Sequence, residues 1–220
     1  MSATTRWWWI RHAPVDSGGR IYGQGDLPAD CSDRPAFEGL AALLPEDPVW
    51  VITNLQRTRQ TAQAILDHLA AAPEPLVEPL LAEQHFGDWQ GLSHAELAKK
   101  RDGAWHRFWL APATEAPPGG ESFVQVVARV HSSVRRLSAE HAGRDIVAVA
   151  HGGTIRAALA LALGLDPERA LALSVDNCSL TRVDHIAGPV SSVAPASEQD
   201  EAWRVVRVNQ APYMNSGSGR

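Results

Sequence analysis

Short apolar runs alternate with longer amphipathic stretches along this chain of 220 residues. The strand-like runs cover residues 7–10, 49–53, 145–150, 179–186 and 203–208. Short apolar runs between helical segments are typical of strands that are buried on both faces of a sheet. The pattern therefore predicts a three-layer α/β/α fold, in which a mostly parallel sheet is covered by helices on both faces.

Three amphipathic stretches have the spacing of helices. The most regular covers residues 121–141, where Phe123 and Val130 belong to one apolar stripe. Two further helices are predicted over residues 58–69 and 154–163, and each begins just after a strand. Their first turns should therefore lie at the carboxyl edge of the sheet, where α/β proteins bind their ligands.

The length of the chain favours one large domain, which we assign to residues 1–210. Polar loops are predicted over residues 110–120 and 187–201, and residues 211–220 are predicted to form a disordered tail. A hydrophobic content of 45% and a charged content of 20% are ordinary for a globular protein.

The charge and the cysteines narrow the range of partners. A formal net charge of -5, without a block of Lys and Arg, argues against nucleic acid or an anionic membrane as a partner. Cys31 and Cys178 have neither the number nor the spacing of a disulfide framework or a thiolate zinc site. No leader is recognisable, and no apolar run reaches the roughly 20 residues that cross a bilayer. We expect a cytoplasmic protein.

Polar side chains follow three of the predicted strands. His12 ends the first strand, His151 ends the strand 145–150, and the strand 49–53 leads into a helix that begins near Arg57 or Arg59. If these strands are parallel neighbours, their carboxyl ends meet at one edge. Arginines and the N-terminus of a helix together favour a phosphate group. The sequence therefore predicts a phosphate site there.

Three consecutive tryptophans, Trp7 to Trp9, precede Arg11 and His12. Bulky residues at consecutive positions are compatible with a strand that is buried on both faces. We interpret them as a rigid base for the site, although this does not explain why tryptophan is used rather than a smaller apolar residue.

Four segments together resemble one known family. They are RHAP at 11–14, TNLQRTRQTA at 53–62, EQHFGDWQG at 83–91 and VAHGGTIR at 149–156. In this order they are similar to the signature of the histidine phosphatase (phosphoglycerate mutase-like) superfamily. Ala13 stands where that family usually has glycine, and Thr53 where it usually has serine. Among its branches, the chain looks most like the alpha-ribazole phosphatases.

The resemblance implies the roles of five side chains. His12 would be the nucleophile that forms a phosphohistidine, while Arg11, Arg57 and His151 would hold the phosphoryl oxygens. Glu83 would be the proton donor. These roles agree with general chemistry, because a neutral imidazole is nucleophilic and cations stabilise the charge of a transferring phosphoryl group.

Further residues follow from the matching segments. Tyr22, Gly23 and Gln24 are candidates for the rim of the substrate site, and Gly152 is assigned to phosphate binding with the motif that contains His151. The stretch 93–120 would determine substrate choice and could form a lid. No metal-ligand spacing is present, so we expect neither a metal nor a cofactor.

The leading hypothesis is a phosphomonoesterase that hydrolyses a small phosphorylated metabolite, with alpha-ribazole 5'-phosphate as one candidate. Phosphoglycerate mutase-type phosphoryl transfer remains an alternative, although the short segment between Glu83 and Glu121 favours hydrolysis over it. A non-catalytic phosphate-binding relative is a second alternative. The expected partner is the small-molecule substrate, and a homodimer is left open.

Overall fold

A computed structural model describes residues 3–102, 106–188 and 201–213. Six strands form one sheet: β1 (Thr4–Arg11), β2 (Val49–Ile52), β3 (Leu76–Val77), β4 (Asp145–Ala150), β5 (Leu180–Ala187) and β6 (Glu201–Gln210). The six α-helices of the described residues are α1 (Arg34–Leu43), α2 (Gln56–Leu66), α3 (His94–Lys100), α4 (Phe123–Glu140), α5 (Gly152–Leu163) and α6 (Pro167–Ala170). Short 3₁₀ turns cover Pro79–Leu81 and Gly87–Trp89.

The strands lie in the order β3-β2-β4-β1-β5-β6. The four adjacent strands β3, β2, β4 and β1 are parallel to one another, whereas β5 is antiparallel to both β1 and β6. The predicted fold class is confirmed: the sheet is mostly parallel, and it belongs to a single α/β domain of the phosphoglycerate mutase-like type. Since β1, β2 and β4 are adjacent and parallel, their carboxyl ends meet at one edge.

The three tryptophans of β1 divide between the two faces of the sheet. Trp7 and Trp9 are in one apolar core with helices α4 and α5, and their rings stack at 4.7 Å. Trp8 faces the other core with helices α1 and α2, and its indole N–H donates to Asp145 at 2.8 Å. Successive side chains of a strand point to opposite faces, so three bulky neighbours fill both cores. Strand β1 is thereby held from both sides just before His12.

Helix α4 starts at Phe123, two residues later than the predicted segment 121–141, and it ends at Glu140. Ser122 is its N-cap and forms a capping box with Gln125, which satisfies backbone N–H groups of the first turn. Helix α2 begins at Gln56 rather than at residue 58, and α5 begins at Gly152 rather than at residue 154. Both helices therefore start even closer to the ends of β2 and β4 than the sequence indicated.

Some segments that the sequence analysis singled out fall outside the described residues. Most of the predicted loop 187–201 does, as do Trp105 and residues 214–220 of the predicted tail, so those predictions stay predictions. The beginning of the tail segment lies on helix α1: Pro212 is buried, and the hydroxyl of Tyr213 contacts the carboxylate of Asp33. Within the described residues, no helix has the length and the hydropathy that crossing a bilayer requires.

The buried hydrogen bond under the tryptophan stack gives a stability prediction. The Trp7 indole N–H donates to the hydroxyl of Ser138 on α4 at 2.9 Å. Replacing Ser138 by Ala leaves that N–H buried without an acceptor, which should lower the free energy of unfolding by about 1–3 kcal/mol. Urea denaturation would measure the loss.

Ser133 provides the matched control. It is buried on the same helix, but its hydroxyl has no hydrogen-bond partner among the described residues. Ser133→Ala should therefore leave the free energy of unfolding unchanged or raise it. Equal losses in the two variants would show that helix packing, and not the indole hydrogen bond, is what Ser138 contributes.

Candidate active site

His12 lies at the carboxyl end of β1 and is 1% exposed. Its ring Nδ1 is 2.7 Å from the carbonyl oxygen of Ala13. A carbonyl can only accept, so Nδ1 carries the proton and Nε2 keeps its lone pair. The turn is fixed on both sides, because the Asn177 amide donates to the His12 carbonyl and the Ala13 N–H donates to the Thr61 hydroxyl. The ring is thus oriented with its free nitrogen available.

His151 caps the start of helix α5 and is fully buried. Its ring lies 5.2 Å from the ring of His12, with the two planes at 60°. The Arg57 Nε–H donates to Nδ1 of His151 at 3.3 Å, so Nε2 carries the proton and donates to the Thr53 hydroxyl at 3.0 Å. Thr53 stands where the family usually has serine, and it still provides the hydroxyl that accepts the hydrogen bond from His151.

Both imidazoles are held in the neutral form. Burial, and then the positive charges of Arg57 and Arg11, lower the pKa of His12 from 6.5 to about 3, against the opposing effect of its Ala13 hydrogen bond. The pKa of His151 is lowered well below its usual value, first by burial and then by the neighbouring His12 and Arg57. Each ring is therefore uncharged at neutral pH and keeps one nitrogen lone pair.

The structure distinguishes between the two candidate arginines of helix α2. Arg57 is fully buried and donates to the carbonyl oxygens of Gly23 at 2.6 Å and Gly25 at 2.8 Å. Arg59 points away from the histidines, is half-exposed and pairs with Glu74 at 2.9 Å. Arg57 is therefore the arginine that helix α2 contributes to the site.

Glu83 is brought to the same edge and is 9% exposed. Its oxygens accept from the backbone N–H of Gln84 at 2.9 Å and of Gly153 at 3.3 Å. A Cβ atom on Gly153 would lie only 2.3 Å from a Glu83 oxygen, so the carboxyl group requires glycine there. The Arg129 guanidinium donates hydrogen bonds to the backbone carbonyls of Ala82 and Glu83, which fixes the backbone on which Glu83 lies.

The predicted rim residues differ in what they do. Tyr22 lies edge-on to His12, with ring centroids 6.5 Å apart, and the Arg57 guanidinium lies over the Tyr22 ring, 5.0 Å from its centroid. Gly23 has a φ of +45° and its Cβ would clash with Gln84 O at 2.8 Å, so glycine is required. The side-chain amide of Gln24 donates a hydrogen bond to the backbone carbonyl of Glu83 at 2.9 Å, so Gln24 helps to hold the Glu83 backbone in place.

A cavity of about 420 Å³ opens above these groups. Its lining includes Arg11, Tyr22 and Glu83, and its outer wall is formed by Arg20 and by residues 106–110. Part of the stretch 93–120, which the sequence assigned to substrate choice, thus lies over the site. The lining does not include six other residues of the site: His12, Gln24, Arg57, His151, Gly152 and Arg156.

Arg11, which lines the cavity, lies next to Gly152, which does not. A terminal nitrogen of Arg11 donates to the Val175 carbonyl at 2.6 Å, but its Nε is buried and has no hydrogen-bond partner in the described part of the chain. A Cβ atom on Gly152 would lie 3.6 Å from that Nε. The first N–H groups of helix α5 and the Arg11 guanidinium therefore face the same space, which favours an anion.

Two residues of the site, Gln84 and Arg156, were not predicted, and Trp109 was predicted only as part of the stretch 93–120. The Trp109 indole N–H donates to the side chain of Gln84 at 2.8 Å, and the Arg156 guanidinium stacks on the Trp109 ring at 4.7 Å. Arg156 belongs to the quoted HGGTIR segment, and its position one turn after Gly152 was the available signal.

Within the described residues, no three His, Cys, Asp or Glu side chains form a group that could hold a metal ion.

Neutral imidazoles beside arginines at the carboxyl edge of an α/β sheet suit the transfer of a phosphoryl group to histidine. A fold and a site of this kind define a phosphatase, a hydrolase of phosphoric monoesters. The model of the Histidine phosphatase superfamily (branch 1) matches residues 7–195. The chain belongs to this superfamily, as its four segments predicted.

Relatives with a stated activity agree with this class. A glucosyl-3-phosphoglycerate phosphatase of Mycolicibacterium vanbaalenii is 35% identical over 168 residues, which are 71% of this chain and 73% of the relative. A mycobacterial glucosyl-3-phosphoglycerate phosphatase, solved in complex with VO3, has a TM-score of 0.75 and 31% identity, covering 94% of this chain and 99% of its own.

A candidate alpha-ribazole-5'-P phosphatase of Escherichia coli has a TM-score of 0.72 over 94% of this chain and 98% of its own. It is only 23% identical, so this likeness shows the fold alone. Similarity to the alpha-ribazole branch therefore says nothing about the substrate.

Proposed function

We propose that this phosphatase acts through a phosphohistidine on His12. The observation that supports this most directly is the hydrogen bond from Nδ1 to the Ala13 carbonyl, which leaves Nε2 as the free nitrogen of a neutral ring. In the first step, Nε2 attacks phosphorus while the bond from phosphorus to the ester oxygen breaks. The Ala13 carbonyl then stabilises the positive charge that develops on the imidazole.

Hydrogen-bond donors on several sides would stabilise the negative charge of the phosphoryl group during its transfer. Arg11 and the first turn of α5 at Gly152 face one side, and Arg57 lies on the side of Gly23. The His151 Nε2–H, which donates to Thr53, is a further donor that a phosphoryl oxygen can share. Donors held in place before the reaction stabilise the transition state without a cost of reorganisation.

Glu83 is proposed to move the proton in both steps. As an acid it would protonate the ester oxygen of the leaving group, and as a base it would then take a proton from the water that attacks the phosphohistidine. The backbone N–H groups of Gln84 and Gly153 fix both of its oxygens, so the carboxyl group has one orientation. A fixed orientation is what proton transfer over a hydrogen-bond distance requires.

We propose glucosyl-3-phosphoglycerate, or a phosphomonoester that similarly carries a sugar and a carboxylate, as the substrate class. The related mycobacterial enzymes with that activity cover most of the chain. The cavity has aromatic side chains at Phe108 and Trp109 for a sugar ring and arginines at its wall for an acid. Phe108 is 51% exposed, so the mouth of the cavity is open to water. The relatives with that activity are named as phosphatases, which favours hydrolysis over mutase-type transfer.

The substrate proposal is tested by measuring phosphate release. The enzyme should hydrolyse glucosyl-3-phosphoglycerate with a kcat/KM at least about tenfold above that for alpha-ribazole 5'-phosphate, because only the first offers both groups to the cavity wall. His12→Ala purified in parallel controls for contaminating phosphatases. A preference for alpha-ribazole 5'-phosphate would contradict the proposal, as would isomerisation of 3-phosphoglycerate without phosphate release.

The proposed role of Glu83 is tested through the leaving group. Glu83→Gln keeps the shape but cannot donate an acid proton, so phosphoenzyme formation from a sugar phosphate should slow by about 10²- to 10⁴-fold. Nitrophenolate departs without a proton, so the loss on p-nitrophenyl phosphate should be much smaller. Single-turnover rapid quench isolates this step. Equal losses on both substrates would mean that Glu83 only shapes the pocket, with Asp88 or His85 as the next candidate acid.

A further inference from the structure

Arg156 is a cation of the site to which the proposed mechanism gives no role. Its side chain runs back along α5 toward the N-terminus of the helix, and its Nε donates to the Leu173 carbonyl at 2.7 Å. The guanidinium lies against the Trp109 ring, and a Cβ atom on Gly152 would lie 3.1 Å from its Nη1. The Arg156 guanidinium is thus hydrogen-bonded to Leu173 along one edge and stacked on Trp109 on one face. One of its terminal nitrogens lies close to Gly152, at the start of α5.

The guanidinium groups of Arg156 and Arg11 come close together. Both guanidinium groups lie within 4 Å of the same point above Gly152. None of the ion pairs found among the described residues includes either arginine. Two like charges at this distance in a partly buried wall repel each other, so the arrangement is stabilised when an anion enters between them.

The position of Trp109 places Arg156 on the side of Glu83. The Arg156 guanidinium stacks on the Trp109 ring at 4.7 Å, and a Cβ atom on Gly153 would lie 3.8 Å from that ring and 2.3 Å from a Glu83 oxygen. Burial lowers the pKa of Arg156, which the charge of Glu83 opposes and the charge of Arg11 reinforces. Arg156 therefore lies near Glu83, where the ester oxygen of the substrate is proposed to depart.

We propose that Arg156, together with Arg11, binds a carboxylate of the leaving group and so determines specificity for acidic phosphomonoesters. This inference rests on the proposed function, which it extends by naming the residue that recognises the acid. A planar guanidinium held by Leu173 and Trp109 presents its remaining N–H groups in a fixed direction, as recognition of a carboxylate requires.

The test compares two substrates that differ only in this group. D-3-phosphoglycerate carries a carboxylate where glycerol 3-phosphate carries a hydroxymethyl group. In Arg156→Gln, the ratio of kcat/KM for the acidic over the neutral substrate should fall by about 10- to 100-fold, the effect of losing a hydrogen bond between charged groups. The kcat/KM for p-nitrophenyl phosphate and the inhibition constant of inorganic phosphate should stay within about threefold of the parent enzyme, a loss of about 0.7 kcal/mol at most.

Arg182→Gln is the matched control. Arg182 also stacks on a tryptophan, Trp8, at 4.5 Å, but on β5 and away from the cavity. Losing the stacking of Arg182 on Trp8 should leave the ratio of kcat/KM for the acidic over the neutral substrate unchanged. Arg156→Lys provides a second variant in case the glutamine variant is unstable, and thermal denaturation of each variant checks folding. The lysine should recover only part of the ratio, because it keeps the charge but not the planar donor pair.

Several results would overturn the inference. An equal fall on both substrates, or a fall in phosphate inhibition as well, would mean that Arg156 binds the phosphoryl group or only supports Trp109. An unchanged ratio would mean that it does not bind the acid. Failure of the proposed function is recognised separately in the parent enzyme. No turnover of p-nitrophenyl phosphate would contradict the phosphatase chemistry, and a kcat/KM for D-3-phosphoglycerate no higher than that for glycerol 3-phosphate would contradict the acidic substrate class.

Discussion

The hydrogen bond between the His12 imidazole and the carbonyl of its own neighbour, Ala13, is the constraint on which the site depends. It fixes which ring nitrogen holds the proton, and burial next to Arg57 and Arg11 keeps the ring neutral. A charged imidazole could not attack phosphorus, and a freely rotating one would present the wrong nitrogen half of the time. In the proposed mechanism, the positive charge of the surrounding arginines therefore serves two purposes: it attracts the phosphate group and it keeps the His12 ring unprotonated.

The rest of the fold holds that imidazole in position. Trp7 and Trp9 stack on one face of β1 while Trp8 fills the other, so the strand that ends at His12 is packed from both sides. This explains the tryptophan triplet better than the sequence could: two cores need bulky side chains at adjacent positions of one short strand. A central strand with hydrogen-bonded neighbours on both edges has little freedom to shift, and a nucleophile requires such placement.

The sequence was sufficient for five of the six strands of the sheet and for the residues at their ends, because the direction of parallel strands brings His12, His151 and Arg57 to one edge. It was insufficient where contacts join distant segments. Gln24 was assigned to the rim but tethers the Glu83 backbone, and Arg156 was overlooked since its contact with Trp109 arises only in the folded chain. Helix α1 and the two-residue strand β3 were also missed, the latter because two residues carry no periodicity.

The central claim is that neutral His12 receives the phosphoryl group on Nε2. Rapid quench with ³²P-labelled substrate, followed by digestion and mass spectrometry of the labelled peptide, tests it most directly. The account predicts one acid-labile, base-stable phosphohistidine at His12, bonded through Nε2, and no label in His12→Asn, while His151→Asn still accepts label, though more slowly. Label on His151, or label that persists when His12 is replaced, would contradict the account.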